Sequence, residues 1–162
     1  MYETAIVFYS MNGNTEQVAR KLAKDLPADL IEIKPEQSYP DKGFKKFLCG
    51  GKSAVMAETP KLKQYVFNAD EYDRVIFGFP VWAGNVTPLI RSFVMENREH
   101  LKNKHISAFA CQSGSGGEKA FRKLLECLKA DRFVATMVLN DPKDKSNAAN
   151  DALIEEFRSK LE

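Results

Sequence analysis

Five short apolar runs, each ended by loop-forming residues and separated from the next by a helical pattern, limit what this chain can fold into. Ala5-Ile6-Val7-Phe8-Tyr9 runs into Ser10-Met11-Asn12-Gly13, and Leu30-Ile31-Glu32-Ile33 is the second run. Val75-Ile76-Phe77-Gly78-Phe79 is halted by Pro80, and residues 106–111 give way to Ser113-Gly114-Ser115-Gly116-Gly117. Residues 133–139 end at Asn140-Asp141-Pro142. Runs this continuous suit strands buried on both faces, as in a parallel sheet covered by helices. Between them, Val18, Leu22 and Leu26 recur at helical spacing, as do Leu89 and Phe93, then Phe121, Leu124, Leu125 and Leu128, and finally Leu153, Phe157 and Leu161. The alternation predicts an α/β fold with a doubly wound, five-stranded parallel sheet. At 162 residues the chain reads as a single domain over 1–162.

One stretch departs from that rhythm. Residues 35–73 leave room for far more than one short crossover helix. Phe44, Phe47 and Leu48 look helical, but Gly50-Gly51 is unfavourable there, so a covering helix with an irregular tail is expected.

Charge and cysteine content exclude several classes. Lys and Arg number 24 against 22 Asp and Glu, a net charge of +2 too small and scattered to indicate nucleic acid or a membrane surface. No apolar run reaches the ~20 residues needed to span a bilayer. Met1-Tyr2-Glu3-Thr4 lacks the basic region of a signal peptide, so a cytoplasmic location is expected. Cys49, Cys111 and Cys127 form no CxxC pair, and reduced thiols in or near the core are the expectation. His100 and His105 fall near the start of the fourth strand and read as solvated surface residues.

In an open parallel sheet, ligands bind beyond the carboxyl ends of the strands, where the strand order reverses. The loops after the first, third and fourth strands are therefore the ones to examine. Ser10, Met11, Asn12, Gly13, Asn14 and Thr15 precede the first helix, with side-chain hydrogen-bonding groups and a Gly for a tight path. The helix adds free N–H groups and the positive end of its dipole, which together cradle a phosphate without a Lys or Arg in the loop. An ordinary capped turn is the alternative, since Asn and Thr are good N-caps. Pro80, Val81, Trp82, Ala83, Gly84 and Asn85 follow the third strand and hold the chain's single Trp. Gln112, Ser113, Gly114 and Gly117 belong to a loop rich in backbone donors, or to a flexible capped turn.

Rival motifs fail. Gly51-Lys52-Ser53 resembles the end of a P-loop, but Lys46 stands where the earlier glycine is required. Ser113 occupies the first glycine's place in a GxSxG elbow. Tyr9 and Ser10 stand where a phosphate-receiver domain needs carboxylates, and the first loop lacks the cysteine of a low-molecular-weight phosphatase.

Tyr9-Ser10-Met11-Asn12-Gly13-Asn14-Thr15 resembles the phosphate loop of flavodoxins, a Thr/Ser-x-Thr-Gly-x-Thr pattern in which Asn12 replaces the central Thr. Tyr72-Asp73, the third strand and Pro80-Val81-Trp82-Ala83-Gly84 resemble that family's first flavin-contacting loop. The resemblance covers essentially the whole chain and fits the short-chain branch with an enlarged second crossover. It implies strand order 2-1-3-4-5 and one non-covalently bound flavin mononucleotide (FMN). Trp82 would stack on the ring, unless it caps the core beneath the loop. The Ala83-Gly84-Asn85 peptide would adjust beside the ring, which Gly84 eases by tolerating either sign of φ. The Gln112 loop would touch the pyrimidine edge or ribityl chain, but it lacks the aromatic ring that many flavodoxins place there. The outer flavin face would then be open, or covered by Tyr39, Phe44 or Phe47.

The resemblance implies an electron carrier docking on a reductase and an acceptor, with no side-chain acid or base required. The alternative is an FMN-dependent reductase that takes hydride from a nicotinamide and reduces a quinone-type small substrate. The slightly basic charge departs from the acidic surfaces of familiar carriers, whereas no nicotinamide-binding motif is visible. A flavin-free binding module ranks last. With no cation expected near the ring, the anionic reduced flavin would be disfavoured and its potential low.

Overall fold

A computed structural model describes residues 3–37, 58–143 and 148–162. Strands β1 (Thr4–Phe8), β2 (Ala28–Glu32), β3 (Arg74–Pro80), β4 (His105–Gln112) and β5 (Thr136–Asn140) form one parallel sheet in the order β2-β1-β3-β4-β5. Helices α1 (Asn14–Asp25), α2 (Pro88–Leu101), α3 (Gly117–Leu128) and α4 (Ala148–Ser159) cover its two faces. The five strands and the four amphipathic segments fall where hydrophobic spacing places them.

Period-2 alternation assigns alternate strand side chains to opposite layers. Ile6, Phe8, Ile76 and Phe109 pack with Val18 and Leu22 of α1 and Ile154 and Phe157 of α4. Ala5, Val7, Val75, Phe77 and Phe79 face Leu89 and Phe93 of α2 and Phe121 and Leu124 of α3. Burial on both sides explains the unbroken apolar runs. Gly78 is forced by this packing, since a Cβ there would fall 2.2 Å from the Phe109 ring.

The fifth strand is shorter than its apolar run. Residues 133–135 precede β5, although Val134 N–H donates to Ile106 O and Ala135 O accepts from Ala108 N–H. β5 lies at the sheet edge, and Val134 is half exposed, so apolar character there does not report a two-sided core. Cys111 and Cys127 are buried free thiols, whereas His100 and His105 are exposed. Cys49, Tyr39, Phe44, Phe47, Gly50, Gly51 and the expected covering helix lie outside the described residues. Among those residues, no helix is long and apolar enough to cross a membrane.

Candidate functional site

The order β2-β1-β3 reverses the chain's direction of winding at β1, so the loops after β1 and β3 leave the sheet side by side. The first loop ends in Gly13, at φ 96°, the N-cap residue of α1. Ser10 Oγ accepts from Glu16 N–H at 3.1 Å, which leaves its own O–H free to donate. The N–H groups of Asn14 and Thr15 meet no acceptor among the described residues. Asn14 and Thr15 are both buried, and the Thr15 hydroxyl bonds the Cys111 thiol beneath it. Burial pushes that thiol up to about 12 despite the Thr15 bond, so Cys111 is a neutral packing group and not a nucleophile. Met11 packs partly buried against the core, and Asn12 is exposed, accepting from the Asn14 amide at 3.3 Å.

The second loop closes on itself. Trp82 and Asn85 exchange backbone hydrogen bonds at 3.2 and 2.9 Å, around Ala83 at φ 50° and Gly84 at φ 69°. Two central residues at positive φ give the pattern of a type I′ turn. The expectation that Gly84 serves an unusual backbone angle fits this geometry. The Asn85 carboxamide is engaged in accepting from Val86 N–H, and Val81 N–H donates to Cys111 O. Pro80 closes β3 half-buried.

Trp82 is placed inward. Only 1% of it is exposed, and its ring meets Tyr9 edge-on at 5.8 Å. At that burial the indole presents almost no surface to a ligand. The core-capping alternative describes it. The physical reason is the tight turn, which folds the chain back immediately after Trp82 and drives the side chain inward.

The third loop is committed largely to its own architecture. Gln112 Oε1 accepts from Gly117 N–H, while its amide donates to Gly114 O and Asn140 Oδ1. Gln112 therefore clamps the loop with its side chain. Ser113 donates to Asp141 Oδ1 at 2.9 Å, and Gly114 stands in open space. Gly116 abuts the second loop so closely that a Cβ would lie 2.8 Å from Gly84 Cα. Gly117 is buried, and a Cβ there would meet Val138 at 2.8 Å.

A fourth loop, after β5, meets the first and third loops at the same end of the sheet and was not among the three expected. Asp141, at φ 37°, donates its N–H to Gln112 O. Lys143 N–H donates to Asn14 Oδ1 at 2.8 Å, and its ammonium donates to Asn12 O at 2.9 Å. The stem of Lys119 lies over Gly84, where its Cδ would touch an added Cβ at 3.2 Å. The Lys143 ammonium thus stands at the first loop, which itself holds no Lys or Arg, and the Lys119 stem lies at the second. The turn signal Asn140-Asp141-Pro142 followed by Lys143, at a strand's carboxyl end, was the available clue.

Comparison with known proteins identifies the fold and the family. The family model described as flavodoxin matches residues 3–154. A putative flavoprotein from Bacteroides eggerthii superposes with TM-score 0.76 at 22% identity, covering 97% of this chain and 98% of that one. A flavoprotein from Lactobacillus acidophilus, solved in complex with FMN, gives 0.71 at 19% identity over 89% and 96%. Two-electron reduced Megasphaera elsdenii flavodoxin gives 0.58 at 14% over 97% and 96%. At these identities the likeness to solved structures establishes the fold.

Proposed function

The chain belongs to the flavodoxin family, and from that premise we propose that it holds one FMN non-covalently and carries electrons through it between redox partner proteins. The observation that carries this reading is the first turn of α1. Its Asn14 and Thr15 N–H groups lack acceptors among the described residues, its N-cap is a left-handed glycine, and the Ser10 hydroxyl proton is free. That donor set suits one terminal phosphate, and the chain lacks the GxGxxG of a pyrophosphate site. The residues fit the group.

When bound, FMN supplies the redox chemistry. Ser10, Asn14 and Thr15 would hold its phosphate, and the Ala83-Gly84 turn with the Gly114 and Gly116 backbone would flank the ring. Gly84 and Gly116 let those two loops meet without intervening side chains.

The reductase alternative draws on Lys119. Its stem lies over the second loop, and its ammonium, if brought to the ring, would favour the anionic reduced flavin and raise its potential, the opposite sign to that expected from sequence. The small positive net charge points the same way. One experiment addresses both: titrate the flavin-free chain with FMN, FAD and riboflavin, then assay the loaded protein for NAD(P)H oxidation with a quinone. FMN preferred over the other two, without turnover, is the expected result. Rapid turnover replaces the carrier with the reductase, and equal or absent binding of all three ends the flavin reading.

A further inference from the structure

We propose that Lys143, reaching in from the loop after β5, is the counter-ion of the FMN phosphate; this deepens and rests on the flavin reading above. Its placement is fixed at two points. The backbone N–H of Lys143 is bound to Asn14 Oδ1 at 2.8 Å, and the ammonium is bound to Asn12 O at 2.9 Å. A Cβ built on Gly13 would lie 3.3 Å from that same ammonium. The charge therefore rests directly on the Asn12-Gly13-Asn14 backbone, beside the Asn14 and Thr15 N–H groups that have no acceptor among the described residues.

An ammonium has three donors, and Asn12 O takes one. No ion pair of Lys143 occurs among the described residues. Two N–H groups remain for an anion, and a compact ammonium serves phosphate oxygens as a point charge from several angles. Gly13 has a second use here beyond its positive φ, because a side chain at that position would crowd the lysine. The contact also gives the site a brace from the far side of the sheet: β5 is three strands from β1, yet its loop reaches the β1 loop.

A merely architectural role would make Lys143 a clip between two loops, and the ligand's phosphate separates the cases. Lys143→Gln and Lys143→Arg are compared with wild type for binding of FMN and of riboflavin, at low and moderate salt, with apoprotein urea unfolding run in parallel. Loss of an exposed charge-assisted contact weakens FMN binding roughly tenfold for Lys143→Gln. Riboflavin affinity and the unfolding midpoint hold, Lys143→Arg recovers most of the loss, and the salt dependence of FMN binding becomes shallower in Lys143→Gln. Parallel losses for both ligands, tracking stability, overturn the proposal in favour of a clip, as does FMN affinity unchanged in both variants. Wild-type protein that binds FMN no better than riboflavin removes the phosphate site itself, and that arm does not depend on either variant.

Discussion

The loops after β1 and β3 stand together at one end of the sheet, yet they hold their shape by opposite means. The β1 loop is fastened by distant segments: Cys111 of β4 through Thr15, and Lys143 of the β5 loop through Asn12 and Asn14. The β3 loop is fastened chiefly to itself, by the Trp82–Asn85 exchange, with two residues at positive φ and one large anchor pushed into the core. The first design fixes donors in place before a ligand arrives. The second carries its two-residue tip beyond the end of the sheet, with Ala83 exposed and Gly84 set against Gly116 and the Lys119 stem. A phosphate of constant charge suits the former, and a ring that changes protonation suits the latter.

The sharpest way to break this contrast is at the anchor. Trp82→Ala empties a site that is 1% exposed and bounded by Tyr9, and is expected to cost about 3–5 kcal/mol of stability. Urea unfolding of the apoprotein measures it. A loss below about 1 kcal/mol, with FMN affinity reduced, would return the indole to the flavin.

This residue also marks how far the sequence could be read. β1, β3 and β4 are legible because burial on both faces keeps their interior positions apolar, Ser107 of β4 excepted, with Thr4, Arg74, His105 and Gln112 only at strand ends. The run Pro80-Val81-Trp82 gives no such signal, because a Trp after a strand end is equally consistent with stacking on a ligand or with folding under a turn. What decides is the positive φ at Ala83, a non-glycine residue from which no such angle would be inferred. The Lys143 contact was hidden for a different reason: it depends on a loop from β5 crossing to the β1 side, and nothing local to either segment announces it. Gln112 was equally hard to place, because a polar side chain at a strand's carboxyl end suits a ligand as well as the bonds it makes here to Gly117 N–H and Asn140 Oδ1.

A smaller effect tests the fixed half of the site. Ser10→Ala removes the acceptor for Glu16 N–H and is expected to lower stability by about 1 kcal/mol, as for loss of a helix cap. Because the same hydroxyl proton is free for phosphate, FMN affinity should fall further than riboflavin affinity. Calorimetric titration with both ligands reads the difference. Equal losses would make Ser10 a cap alone.

The smallest expected effect lies at the turn tip. Ala83 holds φ 50°, where a Cβ crowds the backbone at a cost of about 1–2 kcal/mol. Ala83→Gly relieves that strain but adds freedom to the unfolded chain, which takes back roughly 0.5–1 kcal/mol. The net expectation is a gain of about 0.5–1 kcal/mol in apoprotein stability, seen as a raised urea midpoint with unchanged slope. Gly84→Ala, one residue on, should do the opposite, since φ 69° is strained for any side chain and the new methyl would press on Lys119 Cδ at 3.2 Å. Opposite signs at adjacent positions would establish that the turn is held by its own backbone geometry. If both substitutions destabilise, the Ala83 methyl makes a contact the turn depends on, and the β3 loop would then be braced from outside as the β1 loop is.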